Sequence, residues 1–391
     1  MPQGVALSPS TSVDVAVIGA GAFGSWTAYF LRNSGASVAL LDSYGPANAR
    51  ASSGGESRII RMGYGADEIY TRSSLHALPL WQELFAQAGQ PNLFQRTGVL
   101  WVAYEKEQYS LDTLATLQKA RVKFEKMSRA DLVRRYPQIV FDDDAWAIFE
   151  PDSGVLLARR AVQAVVEQAR EIGVDYREEA VLPPSGEGRL TVINTAGGAN
   201  ISAGSFVFAC GPWLPKVFPA LLGNRIFPTR QEVFFFGIPA GNARFSPPAM
   251  PTWIDEKDQF YGMPDIESRG FKLANDEHGA AVDPDTQSRI ATPEALAAAR
   301  RYLAKRFPSL KDAPAVETRV CQYENTSSGD FLIDRHPDFE NVWLVGGGSG
   351  HGFKHGPSVG EYVAARVTKG GPAEPRYSLA TKQAVQKRAV Y

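Results

Sequence analysis

Three glycines in a characteristic spacing are the first residues of this chain whose types indicate chemistry. Gly19, Gly21 and Gly24 follow an apolar, β-branched run that ends at Ile18, and apolar residues at helical spacing come after them. In a strand, turn and helix, the first glycine permits the turn, the second lets a pyrophosphate approach the backbone, and the third allows close helix packing. The next apolar run ends at Asp42, where an acid accepts a hydrogen bond from a ribose 2′-hydroxyl group. This combination predicts a dinucleotide site for a cofactor without a 2′-phosphate.

A second glycine-rich segment lies near the carboxyl end of the sequence. The apolar run 342–345 predicts a strand, residues 346–350 contain four glycines, and a helical pattern runs from about Pro357 to Thr368. A flavin dinucleotide needs a second turn to hold its ring far from the adenine, whereas a nicotinamide dinucleotide does not. A helix N-terminus there favours the negative charge that a flavin ring gains on reduction. The two turns together predict FAD, although helix capping alone also explains the second one.

Composition indicates an ordinary globular protein without affinity for polyanions. The 391 residues include 41 Lys and Arg against 42 Asp and Glu, so no excess of positive charge is available for nucleic acid or a membrane surface. No uninterrupted apolar run reaches about 18 residues, and residues 1–12 lack the basic and apolar regions of a secretory signal. Only two cysteines occur, which favours a reducing compartment. We therefore expect a cytoplasmic protein that binds small molecules and neither nucleic acid nor a membrane.

The patterns along the chain predict the α/β fold class with an α+β second domain. A Rossmann-like FAD-binding domain is expected from residues 1–90, 150–225 and 320–391. A substrate domain with a mainly antiparallel sheet is expected from residues 91–149 and 226–319, interleaved with the first domain.

Several features are interpreted as structural. The Ala-rich segment 292–306 predicts a helix whose last turns carry Arg300, Arg301, Lys305 and Arg306 on a solvated face, where the helix dipole favours cations. Cys210 is expected in the core. No cluster of His, Cys, Asp or Glu has the spacing of a metal site, so no metal is expected.

Four blocks of sequence occur in an order and spacing that identify a family. They are residues 55–61 (Gly-Glu-Ser-Arg-Ile-Ile-Arg), 149–156 (Phe-Glu-Pro-Asp-Ser-Gly-Val-Leu), Cys321 with 331–334 (Phe-Leu-Ile-Asp), and 350–354 (Gly-His-Gly-Phe-Lys). Together they resemble the monomeric sarcosine oxidase family, which includes N-methyltryptophan, pipecolate and fructosyl-amino-acid oxidases within the D-amino-acid-oxidase fold. The resemblance covers nearly the whole chain and is specific for the family but not for the substrate. It implies a monomer with FAD attached covalently through the Cys321 sulfur to the flavin 8α-methyl group.

The resemblance also implies roles for individual side chains. Lys272 aligns with a lysine that holds a water against flavin N5 and activates O2, where a fixed cation stabilises the negative charge that oxygen gains. Arg58 is expected beside the flavin, and Arg61 and Lys354 align with two cations that bind the substrate carboxylate. Tyr261 matches a tyrosine that lines the substrate site. Cofactor contacts are implied at both glycine turns and between them, at Gly19, Gly21, Phe23, Gly24, Asp42, Ser43, Ser53, Ser57, Arg58, Ile59, Val181, Cys321, Gly348, Gly350, Gly352, Phe353 and Lys354.

Some positions depart from the family pattern and bear on the substrate. Asp276 stands where relatives carry a pocket histidine, Gln322 and Glu324 stand where many carry Met and Thr, and Thr252 replaces a pocket Met. We expect Gln322 and Asp276 to contact the substrate. An Asp276 carboxylate that faces the cavity pairs with a cationic or hydroxylated group of the substrate.

The expected activity is FAD-dependent oxidation of the C–N bond of a secondary, N-methyl or N-alkyl, α-amino acid, with O2 reduced to H2O2. The substrate nitrogen must be unprotonated for hydride to leave, so the rate should rise with pH through a pKa of the bound amine. The main alternative is an oxidase of fructosyl, that is glycated, amino acids or of N-methyl aromatic amino acids. Two lower alternatives are a flavin dehydrogenase that uses an electron carrier and a flavin-binding protein without turnover.

Overall fold

A computed structural model describes residues 11–105 and 107–385. Within these ranges the helices are α1 (Ala22–Asn33), α2 (Glu68–Gln87), α3 (Gln108–Lys119), α4 (Arg129–Arg135), α5 (Ala158–Glu171), α6 (Leu214–Val217), α7 (Pro219–Leu222), α8 (Pro293–Arg306) and α9 (Gly356–Lys369). The strands are β1 (Thr11–Ile18), β2 (Val38–Asp42), β3 (Arg58–Ile60), β4 (Phe94–Gln95), β5 (Val99–Tyr104), β6 (Glu125–Met127), β7 (Ala145–Glu150), β8 (Gly154–Leu156), β9 (Asp175–Glu178), β10 (Val192–Asn194), β11 (Asn200–Phe208), β12 (Ile226–Phe236), β13 (Thr252–Asp255), β14 (Phe260–Met263), β15 (Phe271–Asn275), β16 (Ala315–Thr326), β17 (Leu332–Arg335) and β18 (Val342–Gly346).

The first of two compact units contains residues 11–55, 158–228 and 323–385 of the described chain. Its sheet has the strand order β17-β18-β11-β1-β2-β9, with β10 paired to β11. The pairs from β18 to β9 are parallel, because each strand is followed by a helix or a long connection rather than a tight turn. α9 packs closely on α1, since a Cβ atom at Gly360 would lie 2.5 Å from the backbone of Trp26. This is the predicted Rossmann-like arrangement.

The second unit contains residues 56–157 and 229–322, apart from residue 106. It carries an eight-stranded sheet in the order β16-β12-β15-β14-β13-β5-β7-β6 and a three-stranded sheet in the order β3-β8-β4. The consecutive strands β13, β14 and β15 pair antiparallel, whereas β13 and β5 pair parallel. Aromatic side chains dominate its core, with Trp253 stacked on Phe271 and Phe307 at the edge of both. The sheet is therefore mainly antiparallel, as expected.

The division into units differs from the expected domain boundaries at one long segment. Residues 56–90, which the sequence prediction assigns to the FAD-binding domain, group with the second unit. The reason is local pairing, because β3 opens this segment and pairs with β8. The first part of the sequence block 55–61 therefore ends one unit, and the rest begins the other.

The basic end of α8 departs from the solvated face that the sequence predicts. Arg306 is only 3% exposed, and its guanidinium donates to Asp255 at 3.0 Å, Asp142 at 2.8 Å and Asp258 at 2.8 Å. Tyr104 donates to the other oxygen of Asp255 at 2.9 Å. The expectation was wrong for Arg306, because three carboxylates from distant segments meet it and replace water as its partners.

Within residues 11–105 and 107–385, no helix combines the length and apolar character needed to cross a membrane. Residues 1–10, to which most of the signal-sequence expectation applies, lie outside the described residues.

Candidate cofactor and catalytic site

The first glycine turn joins β1 to α1 in a conformation that its glycines make possible. Gly19 has a φ of 107°, and a Cβ atom there would lie 2.3 Å from the carbonyl oxygen of Ala209. A Cβ atom at Gly24 would lie 1.8 Å from the carbonyl oxygen of Gly19, so the helix packs directly on the turn. A Cβ atom at Gly21 would instead meet only the Ser53 hydroxyl, at 3.4 Å. The backbone at Gly21 is therefore open to close approach by a ligand, at the first turn of a helix with no acidic residue there.

Asp42 is held at the end of β2 by backbone donors. Its two carboxylate oxygens accept the N–H groups of Ala20 at 2.8 Å and Tyr44 at 2.9 Å. Burial raises the pKa of Asp42, and these two hydrogen bonds oppose the rise. The predicted cofactor residue Ser43 follows it, and Val181 packs against the core of this unit beyond β9. The carboxylate thus lies at the strand end where the sequence predicts ribose recognition.

The second glycine turn follows β18 and is held by β16. Ser349 adopts a φ of 46°, unfavourable for a side chain with a Cβ atom, and Gly350 has a φ of 79°. The N–H group of Ser349 donates to the carbonyl oxygen of Glu324 at 3.1 Å, and its hydroxyl accepts the N–H group of Thr326 at 3.2 Å. These bonds hold Ser349 in a backbone conformation that residues other than glycine rarely adopt.

The residues after this turn lead into α9 through a short 3-10 helix, Gly352–His355. Lys354 is buried, and its ammonium donates to the carbonyl oxygen of His351 at 3.0 Å. Phe353 packs beside Ala22 at the start of α1, and a Cβ atom at Gly352 would lie 2.9 Å from the ring of Phe23. Two predicted cofactor residues of the second turn therefore lie next to the first helix of the same unit.

In the second unit, two cations and a thiol meet around Ser57. The ammonium of Lys272 donates to the Ser57 carbonyl oxygen at 2.9 Å and to its hydroxyl at 3.2 Å. Arg58 donates to the same carbonyl oxygen at 2.8 Å and to the Sγ atom of Cys321 at 3.3 Å. Ile59 continues β3 beside them. The structure thus brings together residues that are more than 200 positions apart in sequence.

The position of Lys272 follows from the alternation of side chains along β15. Phe271 and Leu273 belong to the aromatic core, so Lys272 points to the opposite face of the strand. Lys272 is 2% exposed, and burial, followed by the repulsion from Arg58, holds its pKa well below the ordinary lysine value. Glu56 and Cys321 oppose this shift.

Arg61 lies between aromatic rings rather than on the surface. It is 4% exposed, and its guanidinium carbon lies 4.5 Å from the ring centres of both Tyr64 and Trp101. One N–H group donates to the carbonyl oxygen of Gly63. The two rings cover the faces of the Arg61 guanidinium, so its N–H groups can donate hydrogen bonds only at the edge. The edge is also the part of a guanidinium that matches the geometry of a carboxylate. Sequence reasoning missed both rings, because neither belongs to the four sequence blocks.

Glu150 fixes the loop that follows Arg61. Its carboxylate accepts the N–H groups of Met62 at 2.7 Å and Gly63 at 2.9 Å, and the Ser153 hydroxyl at 2.6 Å. Glu150 lies in the recognised block 149–156, which is the signal that could have identified it. Its role is to hold the backbone next to a substrate-binding candidate.

The remaining substrate candidates lie in the same unit. Tyr261 on β14 is half-buried, with its ring centre 6.0 Å from the ammonium of Lys272. Gln322 is fully buried and accepts a hydrogen bond from Gln287. Asp276, one residue beyond β15, lies near enough to Arg61 for its negative charge to favour the guanidinium cation.

Glu256 also acts electrostatically on Arg61, and sequence reasoning missed it. Burial raises the pKa of Glu256 to about 7, Glu107 adds to the rise, and Arg61 opposes it. It lies in the turn between β13 and β14, which no sequence block marks. In the described parts of the chain, no group of three or more His, Cys, Asp or Glu residues is placed to hold a metal ion.

The first unit defines a dinucleotide-dependent protein. FAD fits its residues, because the open backbone at Gly21 suits a pyrophosphate and Asp42 suits a ribose. A family model described as FAD dependent oxidoreductase, DAO, matches residues 14–366. The chain belongs to this family, and this membership confirms the predicted fold class, the dependence on FAD and the oxidoreductase class.

Individual relatives agree with this assignment. A monomeric sarcosine oxidase of Bacillus sp. (strain NS-129) is 33% identical over 92% of this chain and 94% of its own length. An N-methyl-L-tryptophan oxidase of Salmonella arizonae is 29% identical over 90% of this chain and 93% of its own length. Among solved structures, the L-proline dehydrogenase of P. horikoshii superposes with a TM-score of 0.81 at 22% identity, over 95% of this chain and 98% of that one, which supports the fold.

Proposed function

We propose that this chain oxidises the C–N bond of a secondary, N-methyl or N-alkyl, α-amino acid and reduces O2 to H2O2. The observation that carries the proposal is the group formed by Lys272, Arg58 and Cys321 around Ser57. A buried lysine and a half-buried arginine that share one carbonyl oxygen repel each other and lose hydration, which favours a role with an electron-rich partner. The similarity to a sarcosine oxidase and to an N-methyl-L-tryptophan oxidase supports a secondary amine as the substrate.

The substrate carboxylate is proposed to bind the edge of the Arg61 guanidinium. Tyr64 and Trp101 hold this cation in a dry, aromatic environment, where a charge-assisted hydrogen bond is stronger than in water. The family resemblance implies a second carboxylate ligand at Lys354, which is buried. Tyr261 and Gln322 are proposed to line the substrate site.

The amine of the substrate is proposed to react as the free base, without a protein base. FAD, when bound, would supply an acceptor for the hydride of the carbon next to nitrogen; the two electrons and one proton would pass on to O2, which would take a second proton from solvent to give H2O2, and water would hydrolyse the imine product. Lys272 contributes a cation near Arg58 that stabilises negative charge on oxygen. The substrate-dependent rate should rise with pH through the pKa of the bound amine.

Cys321 is proposed to carry the flavin through a bond from its sulfur to the 8α carbon, which would replace the S–H bond and one C–H bond of the methyl group, with the two electrons and two protons passing to O2 to give H2O2. A thiolate is the reactive form of cysteine, and an N–H group of the Arg58 guanidinium lies 3.3 Å from the Cys321 Sγ atom that would form the bond. Acid precipitation tests the linkage: yellow colour should stay with the wild-type protein and pass to the supernatant for Cys321→Ser. Colour released by both proteins would contradict the covalent bond while leaving FAD binding intact.

Asp276 favours a narrower second candidate, an oxidase of fructosyl amino acids. The Asp276 carboxylate lies near Arg61. A substrate whose own carboxylate is bound by Arg61 therefore has its other groups close to Asp276. Sugar hydroxyls or a side-chain cation would donate to that oxygen. N-methyl aromatic amino acids remain the other alternative, supported by the N-methyl-L-tryptophan oxidase relative.

A peroxide assay over sarcosine, N-methyltryptophan, pipecolate and fructosyl amino acids tests the proposed activity. We expect peroxide from at least one secondary amino acid, with the highest kcat/KM identifying the substrate. Anaerobic bleaching by an amine without peroxide in air would instead support a dehydrogenase that uses a carrier. A yellow protein that no amine bleaches would support a binding role and refute the proposal.

We further propose that the enzyme acts as a cytoplasmic monomer. Neither cysteine forms a disulfide, and both lie in described residues. This fits a reducing compartment.

A further inference from the structure

Glu324 is a buried carboxyl group with half of its hydrogen-bonding capacity unused. It lies near the end of β16, in the first unit, and is 9% exposed. Its Oε1 atom accepts the N–H group of Gly348 at 3.2 Å. Its Oε2 atom is shielded from solvent and has no partner among the described residues. Leaving a buried polar atom unpaired costs about 1–3 kcal/mol, so this oxygen indicates a ligand that pairs with it.

The Oε2 atom of Glu324 lies at the carboxyl ends of the central strands. A Cβ atom at Gly346, the last residue of β18, would lie 3.2 Å from Oε2, and one at Gly211, just beyond β11, would lie 3.8 Å from it. In an open parallel sheet, ligands bind outside the carboxyl ends of the strands. Glu324 therefore belongs to the ligand crevice of the first unit rather than to its core.

The strand order tells which part of FAD passes this point. Asp42, the ribose candidate, ends β2, and the pyrophosphate turn at Gly21 follows β1. Continuing across the sheet in the same direction, the next strands are β11 and β18. The part of FAD that continues from the pyrophosphate away from the adenosine is the ribityl chain, which carries hydroxyl groups. Oε2 thus lies on the ribityl side of the sheet.

We propose that Glu324 binds FAD as the neutral acid, with Oε2–H donating a hydrogen bond to a ribityl hydroxyl group, so that cofactor binding takes up a proton. The neutral form is favoured because FAD brings a pyrophosphate dianion into the same crevice. The proposal needs only the binding of FAD by the first unit, and not the substrate proposed above.

The charges around Glu324 agree with a neutral acid. Burial raises its pKa to about 7, and the N–H groups of Gly348 and Gly347 oppose the rise. Glu324 also lies near enough to Cys210 to act on it, because burial and the negative charges of Asp42 and Glu324 raise the pKa of the Cys210 thiol. The glycine turn after β18 adds backbone N–H groups and no ionisable side chain between Gly346 and Gly350.

Titration of apoprotein with FAD tests this inference. Both arms carry Cys321→Ser, so the cofactor stays exchangeable whether or not the sulfur bond forms, and flavin fluorescence reports the Kd between about pH 6 and pH 9. With Glu324 present, the Kd for FAD should rise with pH. Above the pKa that Glu324 has in the protein without FAD, the rise should be up to about tenfold per pH unit. With Glu324→Gln, whose amide donates at every pH, the Kd should change less than about threefold over the same range.

Calorimetry in two buffers of different ionisation enthalpy gives a second readout. Near neutral pH, FAD binding should take up a fraction of a proton with Glu324 and none with Glu324→Gln. Glu324→Thr provides a second variant, and thermal unfolding of each apoprotein checks that it folds. A Kd that falls with rising pH, or a Gln variant that keeps the full pH dependence, would overturn the inference. If amine substrates remove the yellow colour of the bound flavin, the proposed activity stands whatever the pH dependence of FAD binding.

Discussion

Replacing Lys272 with methionine should separate the oxygen reaction from substrate oxidation. The Lys272 ammonium donates to the carbonyl and hydroxyl oxygens of Ser57 and lies on the same carbonyl oxygen as Arg58. Methionine has a similar length and no charge, so the substitution removes the cation with little change of volume. We expect Lys272→Met to be reduced by substrate at close to the wild-type rate and to react slowly with O2.

The size of the effect follows from the burial of Lys272. At 2% exposure, its charge acts through protein rather than water. A unit charge about 4 Å from the developing negative charge contributes about 4 kcal/mol at an effective dielectric constant of about 20. Removing one preorganised group of this kind costs about 10²–10³ in rate. We therefore expect the second-order rate constant for O2 to fall by about 10²–10³.

Stopped-flow mixing measures the two half-reactions separately. Anaerobic mixing with substrate should give a rate within about threefold of wild type, while mixing the reduced protein with O2 should show the full loss. An O2 reaction that survives the substitution would refute the assigned role and revive a carrier-dependent dehydrogenase. Equal losses in both half-reactions would show instead that Lys272 positions the substrate.

Two further variants control for charge and for pH. Lys311→Met removes an exposed lysine, 63% accessible beside Asp312, and should leave both half-reactions unchanged. Because burial and Arg58 lower the pKa of Lys272, its ammonium group loses its proton at a lower pH than an ordinary lysine does. The wild-type O2 reaction should therefore slow as pH rises through that lowered pKa, whereas Lys272→Arg should stay charged and show no such decline.

Two other predictions concern binding and stability. Arg61→Ala should raise KM by about 30- to 900-fold, which corresponds to about 2–4 kcal/mol of lost carboxylate binding, with little change in kcat; an unchanged KM would remove this residue from the substrate site. Arg306→Met should lower the free energy of unfolding by about 3–5 kcal/mol at neutral pH, measured by urea titration, because it leaves the buried Asp255 carboxylate without its cation. Burial already raises the pKa of Asp255 despite this cation, so the loss should shrink as pH falls and Asp255 protonates in the folded state. Arg306→Met combined with Asp255→Asn should recover part of the stability, and a loss independent of pH would contradict the electrostatic cause.

The features that the sequence predicts well are those in which local residues determine local backbone. The turn at Gly19 requires a positive φ that glycine adopts freely, and Asp42 must end the next strand of a βαβ unit. Lys272 could be predicted through the family resemblance, and the alternation along β15 explains its position. In each of these cases, a few neighbouring residues contain the whole signal.

The features that the sequence did not reveal depend on partners far away along the chain. Arg306 is buried because Asp142 and Asp255 reach it from other segments, and nothing in its own helix indicates them. The rings beside Arg61 and the orphan oxygen of Glu324 likewise exist only in the folded chain. Glu324 was visible as an unusual residue type, but its chemistry depends on the glycine turn packed against it.

The group around Ser57 also constrains how the cysteine and the lysine act on each other. A negative charge on Cys321 raises the pKa of Lys272, whereas Arg58 lowers it. A sulfur bonded to carbon in a thioether carries no negative charge, so the proposed linkage would leave no charge on Cys321 to oppose Arg58. The lysine beside a linked flavin would then titrate at a lower pH than the lysine beside a free thiolate. The proposed bond would therefore lower the pKa of Lys272 as well as retain the cofactor.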